Sequence, residues 1–273
     1  MKVYLVSDLE GVGGVGGFDV YDPRSPLDAA RRGRWLELWS GEVNAAIDGA
    51  VEAGAGEIVV VDNHSSGDSL PAGWLRQPAR LVHGGARLTW LPGLDGSFAA
   101  VVVVGQHAMA GSCGHLRHTY SRRRLEWVRL NGSEIGEAGL IAGIAGELGV
   151  PVVCLTGDDA AVDEFIALAP DAEGVVVKHS LSRLACLSLP VEENRERIRS
   201  GVSQALSRRI DIRPVRFPMP LTLQVRYHRR DAWRAPARWL RSGFRLGWRG
   251  GRDLHLNGDC LQLVWDRFIG LAR

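Results

Sequence analysis

Three short, almost wholly apolar runs constrain this chain most: Lys2–Ser7, Glu57–Val61 and Phe98–Val104. A strand with one wet face shows a polar residue at every second position. Runs without that alternation read as strands covered on both faces, as in a parallel sheet. Segments with helical spacing separate them. Leu27–Ala53 puts Leu36, Val43, Ala46, Ile47 and Ala50 on one stripe, with Gly54 as a stop. Gly136–Leu148 and Glu192–Arg209 read as further helices, and Pro151–Leu155 and Gly174–Lys178 as further strands. Glu126–Leu130 followed by Asn131-Gly132 has the signature of a hairpin edge. Strands alternating with helices over residues 1–190 predict an α/β fold with a mostly parallel sheet flanked by helices. From Arg213 onward the composition changes, and strand-like Leu221–Tyr227 opens a smaller α+β C-terminal portion. The expected division is an α/β unit over 1–207 and the smaller portion over 208–273.

The ends of those strands carry the chemistry. Asp8 and Glu10 follow the first strand, two residues apart, so both side chains emerge on one face. Two carboxylates so placed repel unless a cation or a proton lies between them; alone, the pair reads equally well as solvated loop acids. His64 follows the second strand and His107 the third. Ligands of open α/β sheets bind at the carboxyl ends of the strands, so two histidines and an acidic pair at that edge favour a metal site. Oxygen and imidazole donors suit zinc, manganese or a similar divalent ion. Glu137, in the first turn of a helix, reads from spacing alone as compensation of the helix dipole. Cys113, His115 and His118 lie close together after His107, but their spacing fits no closed zinc site. One of these histidines as a proton carrier beside a metal is the more useful reading.

Gly11–Gly16 matches G-x-G-x-x-G directly after a strand, the fingerprint of a dinucleotide loop. That fingerprint needs a helix starting at its glycines. Here Pro23 and Pro26 follow, and Asp8 and Glu10 beside the loop would repel a pyrophosphate. No G-x-S-x-G and no P-loop motif occurs.

Composition closes other routes. With 45% hydrophobic and 23% charged residues the chain is ordinary globular protein. No apolar run approaches the roughly 18 residues of a membrane span. The opening residues lack a signal-peptide pattern, so the expectation is a cytoplasmic protein with no membrane partner. Four scattered cysteines read as reduced, mostly buried thiols. Residues 201–273 hold 15 Arg against 5 acids. The aromatic residues among them do not follow the pattern of an RNA-reading sheet, so no nucleic-acid partner is expected.

Taken together, several segments resemble the M55 peptidases, a family of zinc-dependent D-aminopeptidases. They are Val3–Gly11, Val61–Ser65, Gly105–Ala108, His118-Thr119, Asn131, Gly136–Gly139, Gly157–Asp159 and Val177–Ser182 with Arg183. They stand in family order over residues 1–190, while the C-terminal third matches only loosely. The resemblance implies two zinc ions per chain, with Asp8 bridging them and Glu10, His64, His107 and Glu137 as the other protein ligands. It reassigns Glu137, which spacing alone left to the helix dipole. It also implies His118 as the catalytic histidine, a short peptide with an N-terminal D-residue as substrate, and a homo-oligomer, a ring-stacked decamer. The glycine-rich loop, the stretch around Cys113 and the Arg/Trp-rich C-terminal part depart from the family pattern. The alternatives are a metal-dependent hydrolase of another amide or phosphoester, separated by a substrate panel, and a nucleotide-binding protein using Gly11–Gly16, revealed by cofactor retained on purification. A non-catalytic protein using its basic C-terminal surface would instead bind polyanions with a steep salt dependence.

Overall fold

The computed structural model describes residues 1–270 except Pro23, Phe244, Arg245 and Arg249. Pro23, counted above against a helix, therefore lies outside the described residues. Twelve strands and six α-helices are described. In chain order they are β1 (Lys2–Ser7), α1 (Pro26–Glu52), β2 (Glu57–Asp62), β3 (Ala79–Val82), β4 (Ala100–Gln106), β5 (Leu125–Leu130), β6 (Ser133–Glu134), α2 (Glu137–Glu147), β7 (Val152–Asp158), α3 (Asp159–Leu168), β8 (Glu173–Ser182), β9 (Ala185–Ser188), α4 (Val191–Ser207), β10 (Leu221–Tyr227), α5 (Arg234–Arg241), β11 (Gly247–Trp248), β12 (Asp253–Gly258) and α6 (Leu261–Ile269).

The first sheet runs β3-β2-β1-β4-β7-β8-β9 and is parallel except for the edge strand β9. β4 and β7 are buried along their whole length, as the absence of polar alternation requires. The chain leaves β1 towards β2 on one side and later fills β4 on the other. The carboxyl ends of β1, β2 and β4 thus flank a topological switch point, where open α/β sheets bind ligands. Register makes this concrete: Ser7 stands opposite both Asp62 and Val104.

The second sheet is antiparallel, in order β11-β12-β10-β5-β6. It draws on residues 125–134 as well as on the C-terminal part. The β5–β6 turn is Asn131-Gly132, with φ of 50° and 89°, the doubly left-handed turn whose twist suits a hairpin. Strands β3, β9, β11 and β12 and helices α3, α5 and α6 were not anticipated. No helix among the described residues is long and apolar enough to cross a membrane. Among the described residues the cysteines are free, and only Cys154 is buried, which corrects the expectation of mostly buried thiols.

Helix α1 starts at Ser25, whose hydroxyl accepts the amide of Asp28, with Pro26 in the first turn. Its stripe of Trp39, Val43, Ala46, Ile47 and Ala50 is fully buried. Trp39 Nε1 donates to Ser7 Oγ at 2.5 Å, which ties the helix to the residue just before Asp8.

No helix grows from the glycine-rich loop; α1 begins only at Pro26. The loop is pressed against the end of β4 instead. Gly11 N–H donates to the Gly105 carbonyl at 2.8 Å, and a Cβ on Gly11 would lie 2.1 Å from the Gln106 carbonyl oxygen. Buried Lys178 donates to the carbonyls of Glu10, Val12 and Val15 at 2.5, 3.1 and 3.0 Å. Burial pulls its ammonium below the usual lysine range. From the other side, Glu42 of α1 accepts Gly13 N–H at 2.9 Å. Burial pushes the Glu42 carboxyl up to about 8, against the Gly13 bond and the charges of Lys178 and Arg195.

Gly11→Ala should cost about 1–3 kcal/mol from this overpacking, several degrees of Tm. Gly16→Ala, where a Cβ meets nothing within 4 Å, should change Tm little; equal losses would refute the close approach as the reason for Gly11. A carboxyl raised on folding costs stability progressively as pH climbs from its unfolded value, near 4.5, through its folded one, about 8. Glu42→Gln should therefore gain on wild type between pH 5 and 9 in thermal melts. A constant difference across that range would contradict the raised carboxyl.

Candidate metal centre

Asp8 is the first residue beyond β1, and its N–H donates to the Val104 carbonyl of β4 at 2.9 Å. Its side chain is buried, and Oδ1 accepts the Leu9 amide at 2.8 Å. The two carboxylate oxygens face different neighbours. Oδ1 lies 3.3 Å from His64 Nδ1, and Oδ2 lies 3.3 Å from His107 Nε2. Glu10 Oε2 is 2.9 Å from the same His64 nitrogen, and Glu137 Oε1 is 3.2 Å from the same His107 nitrogen. One carboxylate thus spans two groups of donors. The donor atoms of Asp8, Glu10 and His64 lie within 4.8 Å of one another, as do those of His107, His118 and Glu137.

Each histidine is held by the nitrogen that faces away from the carboxylates, or by its backbone. His107 Nδ1–H donates to the Ala108 carbonyl at 2.9 Å, which directs Nε2 at Asp8 and Glu137. The His64 loop is shaped by Asp62, which accepts the amides of His64, Ser69 and Leu70 at 3.0, 2.5 and 2.8 Å. His64 Nε2 has no hydrogen-bond partner among the described residues, with Asp19 Oδ2 at 3.6 Å. Asp158 accepts the Ala108 amide at 3.1 Å and so braces the residue after His107. Glu137 sits at the start of α2, brought there by the β5–β6 hairpin, and accepts the Tyr120 amide at 2.8 Å.

The electrostatics are those of a cation site. Burial opposes charge on Asp8, but the His64 hydrogen bond and the neighbouring histidines hold its carboxyl well below the usual range. Burial also opposes charge on the histidines. Even so, Glu10, Asp19 and Asp8 pull His64 well above its ordinary value, and Glu137 and Asp8 raise His107 to about 10. Asp19 is paired with Arg32 at 3.0 Å, but the three buried carboxylates of Asp8, Glu10 and Glu137 around two imidazoles still demand positive charge at this place. The buried oxygen and imidazole donors, in two adjacent groups, fit divalent metal ions of the zinc type.

His118 differs. Burial and the charge on His107 lower its pKa, which favours the neutral ring. Nδ1–H donates to the Leu116 carbonyl at 2.9 Å, which leaves Nε2 as the basic nitrogen. The ring stacks on His107 with centroids 3.8 Å apart. Leu116 and Tyr120 take left-handed φ of 51° and 58° on either side of it, strain of the kind kept at functional sites.

The structure brings Asp8, Glu10, His64, His107, Glu137 and His118 onto one cavity of about 530 Å³. Cys113 is exposed, and buried His115 joins neither donor group. Sequence reasoning missed Asp19 and Phe18, whose ring meets His118 edge-on at 5.8 Å. Both lie on the irregular stretch before α1, where no periodicity shows which way a side chain points. Lys178 stood out only as part of a matching segment.

The D-aminopeptidase profile Peptidase_M55 matches residues 1–239. A D-aminopeptidase of Bacillus subtilis (strain 168) is 29% identical over 230 residues, covering 83% of this chain and 81% of that protein. A solved structure of the Zn-dependent D-aminopeptidase DppA from Bacillus subtilis, described as a self-compartmentalizing protease, superposes with a TM-score of 0.87. It is 25% identical, over 99% of this chain and 96% of that one. With the family profile spanning most of its length, the chain belongs to the M55 D-aminopeptidase family.

Proposed function

We propose that this chain is a zinc aminopeptidase that releases N-terminal D-amino acids from short peptides at a two-zinc site. Asp8 would be shared by the two ions, with Glu10 and His64 completing one donor group and His107 and Glu137 the other. The observation that carries this reading is the division of Asp8 between two donor groups, Oδ1 towards His64 and Oδ2 towards His107. The Zn-dependence of the similar Bacillus subtilis enzyme supports zinc as the metal.

Bound there, zinc supplies Lewis-acid polarisation of the scissile carbonyl and a water acidified towards neutral pH. The protein's own groups do the rest. Asp19, which belongs to neither donor group and shares its charge with Arg32 at 3.0 Å, is the carboxylate left to face the amino terminus of a substrate, which favours an exopeptidase over an endopeptidase. His118 presents neutral Nε2 to the reacting region, where it would take a proton from the attacking water and then pass it to the leaving amine. Phe18 and His107 enclose its ring on two sides and fix its orientation.

The proposal extends to assembly. Leu181, Leu184 and Leu187 of the β8–β9 hairpin are 68%, 65% and 58% exposed, an apolar edge suited to a second copy. The self-compartmentalizing relative supports a homo-oligomer, with the ring-stacked decamer as the form to look for.

D-alanyl peptides should be cleaved, and their L-alanyl counterparts should not; equal rates on both would defeat the D-specific reading. His118→Ala should lower kcat by roughly 10²–10⁴-fold while zinc content stays at the wild-type level. Full turnover by the variant would remove His118 from the mechanism. Loss of zinc with activity would make it a ligand instead.

A further inference from the structure

The cavity that holds the carboxylates and histidines is also lined by Arg122, Arg123 and Arg124, three consecutive cations on the loop between Tyr120 and β5. Among the described residues none of the three forms an ion pair or a side-chain hydrogen bond with a carboxylate. Arg87, on another part of the wall, is different: it is spent on the carbonyls of Asp62, Gly67 and Gly84. Arg122 is partly buried and rests over the Phe18 ring, its guanidinium carbon 4.3 Å from the centroid. That same ring meets His118 at 5.8 Å. Arg183 lies over Phe18 as well, at 5.9 Å. An arginine charge therefore stands one aromatic ring beyond the neutral histidine, without an anion of its own.

We propose that Arg122 forms a subsite for the C-terminal carboxylate of the substrate, so that the enzyme selects short peptides with a free terminal acid. This rests on the aminopeptidase reading above. The cavity carries both signs of charge: the carboxylates Asp8, Glu10, Asp19 and Glu137 and the arginine run line the same wall space. A short peptide is a zwitterion, its ammonium beside the scissile bond and its carboxylate downstream. An extended chain advances about 3.3–3.6 Å per residue, so one or two residues after the scissile bond carry the carboxylate roughly 4–7 Å onward. Arg122 and His118 meet the same Phe18 ring, at 4.3 and 5.8 Å from its centroid, so the guanidinium is within hydrogen-bonding reach of a carboxylate so placed, which fits dipeptides and tripeptides. A planar guanidinium suits a carboxylate through paired N–H···O bonds. Burial and the like charge of Arg123 disfavour the charge on Arg122, with Glu10 opposing them; a bound anion relieves that penalty.

The test compares D-alanyl-glycine with D-alanyl-glycinamide, which differ in the terminal charge, on zinc-loaded wild type, Arg122→Met and Arg122→Lys. Wild type should prefer the free acid in kcat/KM, mainly through KM, and added salt should weaken the preference. In Arg122→Met the acid-to-amide ratio should fall by about 10- to 100-fold, the range for a lost charged hydrogen bond. Arg122→Lys, which keeps the charge but loses the fork, should recover part of it. Turnover of the amide by Arg122→Met shows that the variant is folded. Equal use of acid and amide by wild type, or an unchanged ratio in Arg122→Met, would overturn the subsite while leaving the aminopeptidase intact. A wild type that cleaves neither peptide would overturn the aminopeptidase reading and the subsite with it.

Discussion

Buried negative charge at the carboxyl ends of β1, β2 and β4 is the constraint on which the rest of this structure depends. The buried carboxylates of Asp8, Glu10 and Glu137 crowd two buried imidazoles on the wall of one cavity, with Asp19 beside them held by Arg32. Carboxylates in such a place repel one another unless positive charge is fixed among them. Protonated histidines supply it only in part, and divalent ions supply it fully. The fold brings these groups together because parallel pairing aligns three strand ends at one edge, with β1 in the middle. It is the central strand that carries Asp8, so a single carboxylate reaches both flanking histidines.

Holding that carboxylate in place takes structure at three levels. Trp39 anchors the end of β1 from α1 through Ser7. Gly11 lets the loop after Glu10 lie flat against the end of β4. Lys178, at the centre of β8, gathers three carbonyls of the same loop, so its ammonium acts as a clamp on the backbone. The loop that imitates a dinucleotide fingerprint is thus a packing device. Its glycines admit backbone and a buried lysine where a nucleotide fold would admit phosphate.

Much of this was legible in the sequence, because burial on both faces leaves an unmistakable apolar run and because ligands at strand ends need no long-range information. The hairpin at Asn131-Gly132 was legible through its turn chemistry. Other parts lacked such a signal. The second sheet pairs β5 with β10, so residues some 90 positions apart meet, such as Leu130 and Leu223, and no local pattern announces that. Helix α3 starts directly from the end of β7, with Asp158 as both last strand residue and cap; without a loop between them the boundary is hidden. Glu137 is a helix-dipole acid by position, and only the hairpin that delivers it to His107 shows a second use. Phe18, Asp19 and Arg122 sit on irregular segments, where the direction of a side chain is set by tertiary contacts.

The proposed site stands or falls on whether Asp8 is shared by two metal ions. Zinc content of chelator-free protein, measured by elemental analysis for wild type and Asp8→Ala in parallel, tests it most directly. Close to two zinc ions per chain are expected in wild type and loss of both in the variant, since each donor group loses an oxygen it depends on. Wild type without zinc, or an Asp8→Ala protein that keeps its full complement, would contradict it.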